Sequence, residues 1–216
     1  MRKRLDSDVR RGQIAEAALK LVVSEGISAL TVKNIARQVG VTPPALYRHY
    51  AGKTEILAAV VEHISGVYAE SRRRVFREAA GPVARLRGLF FSQVRLFERH
   101  PAVPVFFYSD LLWREEPSLG ERFKRHLEEF ADEVSAVIRR GQDEGGIRAD
   151  EPPERLFVAF LGLFSTLGIL AGRGLCHVDM AAQAETNWKI FETYITAADA
   201  PSGRAGRERN NCEVVP

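Results

Sequence analysis

The chain has 216 residues, 45% of them apolar and 27% charged, enough apolar material for a packed core and too much for a disordered polypeptide. Two cysteines, Cys176 and Cys212, are too few for a disulfide scaffold, and the opening Met-Arg-Lys-Arg is not followed by an apolar signal core. Net charge is only +3, but residues 1–53 hold ten Lys/Arg against four Asp/Glu, and the remaining 163 residues hold 21 against 24. A basic head on a mildly acidic body points the head toward a polyanion.

In chain order nearly every segment reads as helix. From Val9 to Glu25, apolar residues Ile14, Ala17, Ala18, Leu21 and Val22 recur three and four apart, and Gly26 supplies a stop. Arg2, Lys3 and Arg4 read as a mobile basic arm beside phosphates or a minor groove. Thr31 can cap a second helix with inward residues Val32, Ile35, Ala36 and Val39, ended by Gly40. A third starts at Thr42-Pro43-Pro44, since proline is harmless in a first turn whose N–H groups have no intrahelical partner. Leu46 and Tyr50 give this helix its inward side. A fourth runs from Lys53 through Ile56, Leu57, Val60, Val61, Ile64, Val67 and Tyr68 to about Arg77.

After Gly81-Pro82, helices are expected at about 82–99, 102–114, 117–143, 153–172 and 178–197, punctuated by His100-Pro101, Glu116-Pro117, Gly145-Gly146, Pro152-Pro153 and Gly172/Gly174. The charge-free run Leu156–Gly172 is 17 residues long, just short of the roughly 18 expected of a membrane span, and reads as a buried helix. No window alternates as a strand does, and residues 200–216 turn to Pro, Ser, Gly, Arg and Asn, the composition of a disordered tail. The expected fold is all-α with about nine helices. It divides into an N-terminal helix-turn-helix unit (1–52), a helical body (53–199) and the tail, in a cytoplasmic protein.

Gly40-Val41-Thr42 makes the tight glycine-containing turn of a helix-turn-helix, whose second helix enters the major groove. With Leu46 and Tyr50 inward, the third helix presents Pro43, Pro44, Ala45, Tyr47, Arg48 and His49 outward. Helix starts at Thr31, Thr42 and Gly52-Lys53 are natural phosphate seats.

These residues also carry a family resemblance. Ile14-Ala-Glu-Ala-Ala-Leu-Lys-Leu21 with Glu25-Gly26, then Leu30-Thr-Val-Lys-Asn-Ile-Ala-Arg-Gln-Val-Gly-Val-Thr42, and then Ala45-Leu-Tyr-Arg-His-Tyr50 with Lys53 resemble the DNA-binding domain of the tetracycline-repressor (TetR) family over about residues 10–60. The resemblance implies a homodimeric transcriptional regulator, usually a repressor released from a palindromic operator by a small molecule. It places Thr31 on a phosphate, Lys33 on a phosphate or base edge, and Thr42, Pro43, Pro44 and Ala45 against bases. Tyr47, His49 and Lys53 fall on phosphates, and Arg48 stands among them as a further contact. Two residues depart from the pattern. Pro43 stands where a polar base reader is common, leaving apolar contact with a thymine methyl. Tyr50 replaces a phenylalanine and brings a hydroxyl able to hydrogen-bond.

In the body, an apolar effector pocket is expected to draw on Phe90, Val94, Phe97, Phe107, Tyr108, Trp113 and Phe164. The resemblance implies that the last two helices form a dimer interface, for which Phe157, Phe160, Leu161, Phe164, Leu167, Ile169, Trp188, Phe191 and Tyr194 supply the apolar stripes. No cofactor is expected: Cys176-His177-x-Asp179 and His126/Glu129 lack four-ligand metal spacing, and no glycine-rich phosphate loop or Gly-x-Ser-x-Gly occurs, which argues against an enzyme. The alternative is a DNA-binding architectural or partner-docking protein with no effector.

Overall fold

A computed structural model describes residues 2–110, 113–114, 116–175 and 179–196. Among these residues the chain forms nine α-helices and no strand: α1 (Arg2–Glu25), α2 (Val32–Val39), α3 (Pro43–Tyr47), α4 (Lys53–Glu78), α5 (Pro82–Arg99), α6 (Ala102–Phe107), α7 (Pro117–Asp143), α8 (Pro153–Gly172) and α9 (Met180–Thr196). One 3₁₀ turn, Ile27–Ala29, links α1 to α2.

The boundaries follow from local chemistry. The Thr31 hydroxyl accepts the Asn34 backbone N–H at 3.2 Å and starts α2. Gly40 ends it in the left-handed region (φ 76°), with the Gly40 and Val41 N–H groups donating back to Arg37 and Ala36 carbonyls, an ending that suits glycine. Prolines open α3, α5, α7 and α8 in their first turns.

Two expectations about helix ends are corrected. The helix α1 begins at Arg2, so the backbone of Arg2, Lys3 and Arg4 is helical rather than a free arm. The helix expected over 102–114 ends at Phe107, where Tyr108 takes the C-cap position. The tail 200–216 with Cys212, and Cys176-His177, lie outside the described residues.

The helices α1, α2 and α3 close over a small core of Ile14, Ala18, Leu21, Leu30, Ile35 and Leu46, each at most 1% exposed. The long helix α4 leaves this head and enters the body, packing on α1 at one end and on α5 and α7 further along. In the body α8 lies among α5, α6, α7 and α9. It is long and apolar enough to cross a membrane by length and composition, with mean hydropathy 1.8, yet 39% of that stretch is buried within the fold. The expected burial therefore holds for one side of the helix only.

Candidate nucleic-acid interface and ligand cavity

Most of the residues expected to meet DNA are open to solvent in the head. Thr31, Lys33, Thr42, Pro43, Pro44, Tyr47 and Arg48 are exposed, while Ala45, His49 and Lys53 are partly covered. The α3 register explains this: Leu46 drops into the core at 1% exposure, which turns its neighbour Tyr47 out to 55%. The Thr42 hydroxyl makes no capping bond, so it remains available, whereas Thr31 spends an acceptor on Asn34. Asn34 in turn donates from Nδ2 to the Ala29 carbonyl at 3.0 Å, tying α2 to the turn before it. At the start of α4 the Glu55 carboxylate accepts the Ala51 N–H. An acid therefore already stands at one of the three expected phosphate seats.

Tyr50 lies just beyond α3 and is 3% exposed, with the Arg11 guanidinium 5.6 Å from its ring centroid. Its hydroxyl is buried and finds no hydrogen-bond partner among the described residues. The extra hydrogen bond expected from this departure is thus not made. Burial pushes the phenol up, with Arg11 opposing and Glu55 adding to the shift.

Polar links tie the first half of α4 to the start of α7. The Thr54 hydroxyl donates to the Glu116 carboxylate at 3.0 and 3.1 Å, and Arg122 pairs with Glu62 at 3.1 Å. The short helix α6 touches both α1 and α8.

A cavity opens between α4, α5, α6, α7 and α8. It holds about 640 Å3 of unfilled space counting its mouth and crevices, of which about 70 Å3 is wide enough for water. That latter volume is well below the roughly 300–1,000 Å3 of a pocket for a drug-sized ligand, so a ligand must displace side chains to enter. Of the seven residues expected here, Phe97, Phe107, Tyr108 and Phe164 line the space. Phe90 and Val94 do not: Phe90 instead packs on Phe160 and Trp188 at 6.0 and 5.8 Å, on the α9 side of the core. Trp113 also lies outside the lining, 45% exposed, with its Nε1–H donating to the Phe107 carbonyl at 2.8 Å and its ring edge against Phe123.

Sequence reasoning missed Ser65, Tyr68 and Arg72 of α4, Gln93 of α5, and Phe123, His126 and Phe130 of α7, all in the lining. Their signal was present, since Tyr68 and Arg72 extend the inward stripe of α4 by four residues each beyond Ile64. Phe107 stacks on Phe123 with centroids 4.0 Å apart and planes 12° off parallel. The Tyr108 hydroxyl donates to Ser165 Oγ at 3.1 Å. Gln93 is 2% exposed.

The stripes expected to face a second subunit are mostly interior. Phe157, Phe160, Phe164, Leu167, Trp188 and Phe191 are all buried, and Leu161 lines the cavity. Ile169 is partly covered, and Tyr194 alone is exposed, at 42%. Large aromatic side chains fill the space between α5, α7, α8 and α9, so the outward side of α8 and α9 is carried by others: Val158 (66%), Ile190 (61%), Gly162 and Thr166. His126 Nδ1 and Glu129 lie 3.7 Å apart one helical turn from each other. Among the described residues no three His, Cys, Asp or Glu side chains gather in a way that could hold a metal ion.

Comparison with known proteins places this geometry. Residues 14–60 match the model of bacterial regulatory proteins of the tetR family. The HTH-type transcriptional repressor KstR2 of Mycobacterium tuberculosis is 30% identical over 146 residues, covering 65% of this chain and 70% of that protein. The nucleoid occlusion factor SlmA of Marinobacter nauticus is 27% identical over 139 residues, covering 64% and 71%. The structure of Bacillus subtilis FadR in complex with stearoyl-CoA superposes with a TM-score of 0.73 at 17% identity, covering 85% of this chain and 98% of that one. The chain belongs to the tetR family of bacterial regulatory proteins, whose DNA-binding helix-turn-helix it carries.

Proposed function

We propose that this protein is a cytoplasmic homodimeric repressor that holds a palindromic operator and releases it when a small hydrophobic effector enters the body. One observation carries this reading: a single helix, α4, bears Lys53 beside the exposed α2–α3 face and, further along, the cavity residues Ser65, Tyr68 and Arg72. A ligand that moves the α4 wall of the cavity therefore moves α1, on which α4 packs, and with it α2 and the α3 that rests on α2. The short helix α6 adds a second route, because Pro104 and Phe107 line the cavity while the helix rests on α1. In this reading the head is residues 1–52 and the body 53–199, with 200–216 as a tail outside both.

On the operator, Thr42, Pro43, Pro44 and Ala45 face base edges, and Thr31, Lys33, Tyr47, Arg48, His49 and Lys53 meet the backbone. Pro43 and Pro44 have no side-chain donor, so sequence reading at α3 leans on apolar contact with thymine methyls and on DNA shape. Dimerisation uses the outward side of α8 and α9, where Val158, Ile190 and Tyr194 stand exposed around Gly162 and Thr166. Apolar surface left open on one side of a helix of mean hydropathy 1.8 is what a second subunit would cover.

Effector binding shifts an equilibrium between two separations of the paired α3 helices, only one of which fits successive major grooves. Similarity to KstR2, named a transcriptional repressor, supports the sign of regulation, and the stearoyl-CoA complex of FadR supports a ligand-responsive body. The likeness to SlmA, named a nucleoid occlusion factor, favours a second reading in which the body docks a protein partner instead.

The test is a footprint of the purified protein on its own upstream DNA across a salt series. A two-fold symmetric site with half-sites about 10 base pairs apart or a multiple of that, and a steep loss of affinity with salt, supports the regulator. Diffuse, asymmetric protection overturns operator recognition and favours the docking reading.

A further inference from the structure

The cavity is apolar over most of its wall, and the one charged side chain in its described lining is a cation. Among its described lining residues there is no Asp or Glu; Arg72 of α4 is there, as is His126 of α7. The Arg72 side chain is only 12% exposed. Its Nε lies 2.8 Å from Glu133 Oε2, but the two are poorly aligned, and both atoms are buried with no hydrogen bond to any described residue. Glu133 is 41% exposed and is not part of the lining, so it holds the guanidinium from the solvent side.

We propose that the occupant of this cavity is an apolar molecule bearing a single carboxylate, received by the Arg72 guanidinium. The assignment rests on the reading of the cavity as the effector site. A guanidinium offers five N–H donors in a planar fork that matches a carboxylate. At Arg72 that fork is nearly dry and lies 5.8 Å from the Phe130 ring, and a charge so placed gains most from an opposite charge brought with an apolar ligand. Tyr68, one turn earlier on α4, lines the same wall, and burial pushes its phenol well up, so it stays protonated and able to donate. Gln93, from α5, brings a buried amide for a neutral oxygen elsewhere on the ligand.

Competing chemistries fit less well. A phosphate dianion would need a second strong cation, and the only other basic group in the described lining is His126, already beside Glu129. The aromatic walls alone would suit a quaternary ammonium, but Arg72 repels it.

The experiment is calorimetric titration of the full-length protein with two matched pairs, octanoate against 1-octanol and 3-phenylpropionate against 3-phenylpropanol, with choline as the cationic probe. In at least one pair the acid binds tenfold or more tightly than its alcohol, and R72Q abolishes that preference. E133Q removes the carboxylate that competes for Arg72 and tightens the acid threefold or more. This readout is independent of any folding defect in R72Q and would not move if the pair were only structural. Equal binding of acid and alcohol, a preference that survives R72Q, or tighter binding of choline overturns the carboxylate assignment while leaving the cavity as a ligand site. If no probe binds, the assignment and the effector reading fall together.

Discussion

Gly172 closes α8 where α6 comes nearest to it. A Cβ at this position would lie 2.4 Å from the Pro101 carbonyl oxygen and 2.9 Å from Val105 Cγ2. Ordinary contact begins at 3.4 Å, so Gly172→Ala must push the start of α6 back by about 1 Å. The obstructing atom is backbone and no rotamer change relieves it. Overpacking of this kind costs about 1–3 kcal/mol, offset by less than the roughly 1 kcal/mol that alanine gains over glycine in a helix interior, because Gly172 is the last residue of its helix. Gly66 is the internal control: it is exposed in the middle of α4 with nothing within 4 Å of its would-be Cβ, so Gly66→Ala should stabilise by up to about 1 kcal/mol. Urea unfolding at one fixed protein concentration, followed by far-ultraviolet circular dichroism, should separate the two variants by about 1–4 kcal/mol, in opposite directions from wild type. Because α6 also rests on α1, Gly172→Ala should weaken operator binding while Gly66→Ala leaves it alone. A Gly172→Ala protein as stable as wild type would refute the close approach of α6 to α8, and unchanged operator affinity would refute α6 as a route from body to head.

Lys33→Ala and Arg48→Ala should each lower operator affinity and flatten the slope of log affinity against log salt by about 1, as loss of one phosphate contact does; an unchanged slope in fluorescence anisotropy would remove that residue from the interface. Val158→Glu combined with Ile190→Glu puts two charges on the exposed side of α8 and α9 and should yield monomers in analytical ultracentrifugation with helicity intact; a persistent dimer would place the interface elsewhere. His100 caps the end of α5, and burial lowers its pKa below the usual histidine value, with Arg99 and His63 acting in the same direction and Glu16 opposing. The unfolded chain therefore binds this proton more readily than the folded one, so stability is retained above about pH 6.5, the unperturbed value, and declines as pH falls below it. His100→Gln should reduce that decline between pH 7 and 5, and thermal melts that fall equally steeply in both proteins would refute it.

The head was legible because its signals are local. Thr31, Gly40 and Pro43-Pro44 fix helix ends through backbone chemistry that needs no tertiary partner, and α2 falls where the pattern puts it. Apart from the end of α6, the body was legible in its helix boundaries but not in its faces. The helix α8 is apolar nearly all the way round, so periodicity says that it packs without saying which side meets its own subunit. Choosing the largest side chains for the outer face failed because aromatic rings fill volume best inside: Phe160 has no exposed surface, and its ring sits within about 6 Å of those of Phe90, Phe164 and Phe191.

The same bias hid the polar part of the cavity. A search for apolar candidates passes over Arg72 and Gln93, although both lie on inward stripes of their helices. A charged residue on such a stripe has two physical resolutions, an ion pair within the fold or a partner brought from outside. In this fold it has half of each, since Glu133 meets one edge of Arg72 from the solvent side and no acid of the described lining meets it from the cavity. Burying one guanidinium edge without an aligned acceptor costs more than leaving it in water. From the α4 wall Arg72 therefore presents a charge that an incoming carboxylate would meet on the cavity side, on the same helix that packs on α1 of the head.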